Sequence, residues 1–171
     1  MTMSSDQKSP GSDGDLAGVA VLRRLRIEDV PALVAFYNNL SDAPKRTFRP
    51  IEEQTTPEVC ADIATENCGR APTKFDVIAV LGESVIGWSF IWDLVSKEPV
   101  FGLAVADVYQ GRGLGTALMT KVLDWARDQA LPAVFLTVVQ DNEVAKHLYE
   151  RLGFVKYGEF VGDDGLPYDR M

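Results

Sequence analysis

The stretch Gln110-Gly111-Arg112-Gly113-Leu114-Gly115 lies between an apolar run at 100–105 and an amphipathic helical run at 113–129. A glycine-rich turn that joins a strand to the start of a helix is a natural anion site. The first N–H groups of the helix have no partner inside it, and the helix dipole places partial positive charge there. Glycines let the main chain approach a phosphate closely and adopt positive φ. Arg112 adds a fixed cation with a forked donor geometry. The pattern predicts a loop that grips a pyrophosphate.

Two common nucleotide motifs are excluded. A dinucleotide fingerprint needs a glycine three residues after Gly113, and that residue is Thr116. A nucleotide P-loop ends in Gly-Lys-Ser/Thr, which is absent. A second motif follows downstream: Asn142-Glu143-Val144-Ala145-Lys146-His147-Leu148-Tyr149-Glu150-Arg151-Leu152-Gly153-Phe154. Asp141 or Asn142 can cap a helix here. Ala145, Leu148 and Leu152 make one apolar stripe, and Gly153 suits the position just past the helix end. Gln110, Gly113 and Gly115 resemble the acetyl-CoA signature of the GNAT acetyltransferase superfamily, Gln/Arg-x-x-Gly-x-Gly/Ala after a strand. The second motif resembles that family's Asn…Ala…Leu-Tyr…Gly-Phe helix. The two occur in the family's order with one strand, 133–139, between them. The resemblance covers 19–171 and is specific over 101–160.

Bulk properties set further bounds. A chain of 171 residues with 46% hydrophobic content is long enough for one well-buried core. A net charge of −8 argues against a nucleic-acid surface. No segment has the unbroken apolar length of a membrane span, and the N-terminus lacks the apolar core of a secretory signal, so a cytoplasmic location is expected. Cys60 and Cys68 lack Cys-x-x-Cys partners and read as two unrelated reduced thiols, so no metal is expected.

Residues 1–18 are rich in Ser, Asp and Gly and read as a disordered tail, and 19–171 as one domain. Periodicity predicts strands at 19–26, 75–81, 84–94, 99–106, 133–139, 154–161 and 166–171. It predicts helices at 28–40, 57–67, 113–129 and 142–152. Gly82-Glu83 is the turn of an antiparallel hairpin. The family resemblance implies an α/β (α+β) fold: a strongly bent mixed sheet of six to seven strands flanked by about four helices.

The resemblance also assigns roles. Gly111, Arg112, Gly113, Leu114, Gly115 and Thr116, with Gln110, would hold the pyrophosphate of acetyl-CoA. The main chain of Leu103-Ala104-Val105 would pair with its pantetheine arm, and an N–H there could polarise the thioester carbonyl. Asn142 would contact the same arm, a role compatible with capping its helix. By spacing alone Tyr149 is a core tyrosine; its match to the family's Leu-Tyr makes it the general acid for a departing thiolate.

The base is where the chain departs from the family. The positions that carry a glutamate in relatives are Val100 and Thr137 here. Glu98, acting through water, is the first substitute and Asp93 the second. A neutral amine would need neither. Trp88, Phe90 and Trp92 alternate on one strand face and read as core. Residues 39–50, with Arg46 and Arg49, lie where relatives build the acceptor site. His147 reads as surface.

The expected activity is transfer of acetyl from acetyl-CoA to a primary amine of a small molecule. The alternatives are a protein lysine or N-terminal acetyltransferase, and a non-catalytic acyl-CoA-binding module. No nucleic-acid or membrane partner is expected, and a homodimer is allowed for.

Overall fold

A computed structural model describes residues 19–48, 50–69 and 71–171. The tail expected at 1–18 lies outside the described residues. The element order is β1 (Val21–Arg24), α1 (Val30–Asn38), α2 (Asp42–Thr47), α3 (Pro57–Cys68), β2 (Phe75–Leu81), β3 (Ser84–Trp92), β4 (Val100–Val105), α4 (Leu114–Asp128), β5 (Thr137–Val139), α5 (Glu143–Arg151), β6 (Gly158–Val161) and β7 (Pro167–Arg170). Short 3-10 turns precede α1 and α4. The helix α2 falls in a stretch that the sequence reads as a connection.

The strands form two sheets, β1-β2-β3-β4 and β5-β7-β6, each antiparallel throughout. A single parallel bridge, Val100 to Phe135, joins them. Across it Phe101 N–H donates to the Phe135 carbonyl at 2.7 Å, and Phe135 N–H to that of Pro99 at 2.8 Å. The mixed character of the fold resides at this junction. The strand expected at 133–139 shortens accordingly: its first half has only the bridge, and its antiparallel ladder with the C-terminal strand starts where Leu136 and Met171 exchange N–H bonds.

Helices cover both faces of the first sheet, so β2 and β3 are buried on both sides and read as near-continuous apolar runs. On one face Phe75, Val77 and Ala79 pack against α4. That helix buries Leu114, Leu118 and Val122 completely, as an i, i+4, i+8 stripe. Ala117 and Trp125 beside the stripe are half-buried, and Trp125 stacks flat on Phe75 at 3.8 Å. The helix ends in a Schellman motif, with Leu131 N–H on the Ala126 carbonyl and Ala130 N–H on that of Arg127. Ala130 takes the left-handed position, φ 54°, where glycine is usual.

On the other face α1 and α3 cover Ile78, Trp88, Phe90 and Ala104. Pro31 and Pro57 stand in the first turns of α1 and α3, and the Thr56 hydroxyl caps α3 by accepting from Val59 N–H. Arg23 grips Asp29 with two bonds of 2.6 Å ahead of α1. The guanidinium holds the Asp29 carboxyl below its ordinary range. Cys60 is buried and Cys68 exposed, both free thiols.

Phe90 pairs with Gly102 across β3 and β4, and its ring fills the space a Cβ there would take. A Cβ on Gly102 would stand 2.2 Å from the ring. The ring is fixed in turn by Trp92, stacked at 4.2 Å, and by Trp88 and Phe48. Gly102→Ala should therefore lower unfolding stability by about 2 kcal/mol, within the usual range for overpacking. A denaturant midpoint equal to wild type would show that the ring moves aside freely.

Candidate active site

Beyond the Val100–Phe135 bridge, β4 and β5 form no further pairs with each other. Each is occupied on its far edge, β4 by β3 and β5 by β7. Strand residues alternate the edge to which their N–H and C=O point. Phe101 turns toward β5, so Leu103 and Val105 do also, into the gap. Ser89 Oγ reaches the Gly102 carbonyl on the opposite edge at 3.1 Å, as that alternation requires. The gap opens into a cavity of about 560 Å³. Leu103, Ala104 and Val105 line one wall, and Thr137 and Val138 the other.

The loop after β4 closes one end. The Gln110 amide donates to the Val105 carbonyl at 2.9 Å and fastens the loop to the strand. Gly111 and Gly113 both take left-handed φ, 71° and 76°. No side chain caps α4 at Gly113. Its first i→i−4 bond runs from Ala117 N–H to the Gly113 carbonyl, so the N–H groups of Leu114, Gly115 and Thr116 precede the helical ladder. A Cβ on Gly111 would meet nothing, so that loop is open to an approaching group. A pyrophosphate fits this cradle of N–H donors and open glycine main chain.

Asn142 caps α5: its Oδ1 accepts from Ala145 N–H at 3.2 Å. It also lines the cavity, and its Nδ2 has no hydrogen-bond partner among the described residues. Tyr149 is buried against Phe101 and Phe154 with its side chain on the cavity. Its hydroxyl makes no hydrogen bond among the described residues. Burial pushes its pKa up to about 12, so the phenol keeps its proton at neutral pH.

Eight of the expected residues thus meet at one cavity: Leu103, Ala104, Val105, Gln110, Gly111, Gly115, Asn142 and Tyr149. Arg112, Gly113, Leu114 and Thr116 do not line it. Leu114 sends its side chain into the core, at zero exposure, so only its main chain belongs to the loop. Arg112 is exposed beside the loop. Glu98 is not among the residues that line the cavity. It is exposed in the turn before β4 and its N–H bonds to Ser96 Oγ. It stands five residues ahead of Leu103, about 16 Å along an extended strand. Asp93 is exposed too, in a left-handed turn at φ 58°.

The lining also includes part of the stretch 39–50, where the family resemblance puts the acceptor site, and two aspartates that local patterns did not assign to the site. Pro44 and Phe48 reach it from α2 and its C-cap, and Asp107 and Asp141 stand on its rim. Each aspartate follows a strand of the splayed pair, at the end where the strands part. Asp107 accepts from Ser41 Oγ at 2.9 Å and clasps the α1–α2 connection. Arg49 and the side chain of Arg46 lie outside the described residues. Among the described residues no group of His, Cys, Asp and Glu is placed to hold a metal, and no helix is long and apolar enough to cross a membrane.

Comparison with known proteins agrees with this geometry. The sequence model of the acetyltransferase (GNAT) family matches residues 35–154. Mycothiol acetyltransferase from Rhodococcus jostii is 40% identical over 74 residues, 41% of this chain and 24% of that protein. N-alpha-acetyltransferase RimI from Mycobacterium tuberculosis is 35% identical over 92 residues, 52% of this chain and 56% of that protein. The chain therefore spans about a quarter of the first relative and just over half of the second. The crystal structure of spermidine N-acetyltransferase from Vibrio cholerae in complex with CoA and spermine superposes with a TM-score of 0.71 at 20% identity, covering 90% of this chain and 94% of that one. With a splayed strand pair, a glycine cradle at a helix start and a family match across most of its length, the chain belongs to the GNAT family of acetyltransferases, enzymes that use acetyl-CoA.

Proposed function

We propose that this chain transfers an acetyl group from acetyl-CoA to a primary amine of a small molecule by direct attack. The observation that carries the reading is the cavity in the β4–β5 gap, with donors at one end and an unpartnered phenol in its wall. When bound, acetyl-CoA supplies the activated acyl group. The N–H groups at the start of α4 and the loop at Gly111 and Gly113 hold its pyrophosphate. The Leu103 and Val105 main chain, which has no strand partner on that edge, holds its amide arm. Asn142 Nδ2 donates to the same arm. The Leu103 N–H is placed to polarise the carbonyl under attack.

The Tyr149 hydroxyl donates its proton to the sulfur as the C–S bond breaks. The amine enters past Pro44 and Phe48. Its extra proton leaves toward Asp107 and Asp141 at the rim, which gives a cation a favourable approach and replaces Glu98 in that role. The family resemblance and the mycothiol and spermidine enzymes among the neighbours support a small acceptor. One observation favours a second reading, N-terminal acetylation of a protein: RimI shares the longer aligned stretch of the two relatives. A panel of amines and peptides with acetyl-CoA, read by thiol release, separates the readings. Release with small amines is expected. Release with peptides alone would establish the second reading, and no release at all would leave an acyl-CoA-binding module.

Gly113→Val should abolish CoA binding in a folded protein. A β-branched residue at φ 76° costs about 1–3 kcal/mol and displaces the N–H cradle. At about 100 times Kd a ligand of the native state alone adds about 2.7 kcal/mol, so CoA should raise the wild-type Tm by several degrees and leave the variant unmoved. Equal thermal shifts would show that the loop is only a turn.

Tyr149→Phe should retain the fold and bind CoA within a few-fold, because the ring still packs on Phe101 and Phe154. Its kcat should fall by about 10- to 1,000-fold, with kcat/KM falling in parallel, as for an interaction made only in the transition state. A Phe variant with wild-type kcat under conditions where chemistry limits turnover would reduce Tyr149 to packing and make water the proton source.

A further inference from the structure

Asp76 is a carboxylate at zero exposure near the start of β2, on the face covered by α1 and α3. Its Oδ1 accepts two indole N–H bonds, from Trp88 at 2.8 Å and from Trp92 at 3.0 Å. Its Oδ2 has no partner among the described residues. A buried acceptor without a bond is costly, and a local pattern of β-propensity would place an apolar residue there. The acceptor mechanism above does not use it.

The two indoles belong to a continuous aromatic group. Trp92 stacks on Phe90 at 4.2 Å, and Trp88 meets Phe90 at 5.4 Å. Phe48 packs edge-on against Trp88 at 5.4 Å and against Phe90 at 5.7 Å. Phe48 in turn lines the cavity. The chain of contacts runs from a buried charge to the wall past which the amine enters.

We propose that Asp76 is a positioning residue for the acceptor end of the cavity: its carboxylate holds the Trp88 and Trp92 indoles, and these rings, through Phe90, set the place of Phe48. This rests on the reading of the cavity given under the proposed function. Ionised, Asp76 makes two charge-assisted bonds; protonated at Oδ2, it offers the rings only a neutral carbonyl oxygen and a weaker hold. The groups around it decide where that change falls. Burial pushes its pKa up to about 7, while the two indole bonds, Lys74 and Arg24 pull it down. Lys74 lies over the Trp92 ring at 4.5 Å and is paired to Glu66 of α3 at 3.1 Å. Arg24 of β1 is bound to Asn67 of α3, whose Oδ1 accepts the Asp76 main-chain N–H at 2.9 Å. From α1, Tyr37 meets Trp88 edge-on.

Because the folded chain holds this proton more tightly than an unfolded one, the stability linked to Asp76 is complete below the ordinary carboxylate range. It is lost as pH rises through about 7. Firm seating of the rings and global stability therefore move in opposite directions across neutral pH.

The test compares full-length wild type with Asp76→Asn, which keeps an acceptor oxygen but cannot ionise. In the ligand-free protein, near-UV circular dichroism and tryptophan fluorescence should titrate with an inflection near pH 7 in wild type, and the inflection should vanish in Asp76→Asn. At one fixed pH above 7, KM for the amine should rise about fivefold in Asp76→Asn while KM for acetyl-CoA stays within about twofold, a split expected when both indole bonds at one subsite lose their charge assistance. If Asp76→Asn does not fold, Trp92→Phe removes one donor from a half-buried position and should move the inflection to higher pH. An inflection that is absent in wild type, or that persists in Asp76→Asn, overturns the proposal. So does an equal rise in both KM values, which marks general damage to the fold. If no amine is turned over, the functional reading fails, and the titration of the ligand-free chain still decides whether Asp76 governs the rings.

Discussion

The structure depends on one unmade pairing. After Val100 and Phe135 the strands β4 and β5 part, and the edge of β4 at Leu103 and Val105 has no strand partner. A strand edge facing a cavity is an accounting problem, because buried N–H and C=O groups need partners. Within the protein the Gln110 amide satisfies the Val105 carbonyl. The remaining groups face the space in which an extended, amide-bearing ligand fits. The gap is thus a defect in the sheet, and the proposed function makes it the seat of a long cofactor.

Everything around the gap keeps it from closing. On one side β3 and α4 fix β4 within a core of fully buried Leu114, Leu118 and Val122. On the other, β7 takes up β5, and the buried Asp169 anchors that strand to Lys156 at 2.7 Å and to Gln140 at 2.9 Å. Lys156 keeps the Asp169 carboxyl below its ordinary range. The loop 140–142, which carries Asn142 into the cavity, is held by the same group through Gln140 and Lys146. Each sheet is thus anchored by its own partners on the side away from the gap.

The two faces of the first sheet divide the labour. The α4 face is mostly apolar, with Ser89 as a buried hydroxyl bonded to the Gly102 carbonyl, and supplies burial. The α1–α3 face is aromatic and carries the buried Asp76, a polar group whose desolvation is only partly offset by two indole bonds. The same face reaches the cavity through Phe48. Both sides of the sheet bury a core, and the aromatic side also reaches the cavity.

Some of this was legible without coordinates. The glycines at 111 and 113, the Asn142 cap, the stripe of α4 and the Gly82 turn are local: each follows from φ preferences, capping chemistry or a 3.6-residue period, which neighbouring residues alone determine. The meeting of Leu103, Gly115, Asn142 and Tyr149 was reachable because two local motifs flank one strand. Glu98 has the identity of a base, but identity says nothing about which end of a strand meets the cavity. Asp107 and Asp141 joined the lining only when loops distant in sequence converged where β4 and β5 part, and only the folded chain singled out Pro44 and Phe48 from the stretch 39–50. Asp76, one aspartate in an apolar run, gained meaning only when Trp88 and Trp92 turned both indoles onto it. The sequence by itself determined most of the elements and the glycine turn before α4, because those rest on short-range chemistry; resemblance to a family, not spacing, marked Tyr149 as the acid. Tertiary structure decided the splay, the rim charges and the aromatic wall, because pairing between strands and burial of a charge are set by groups that only the folded chain brings together.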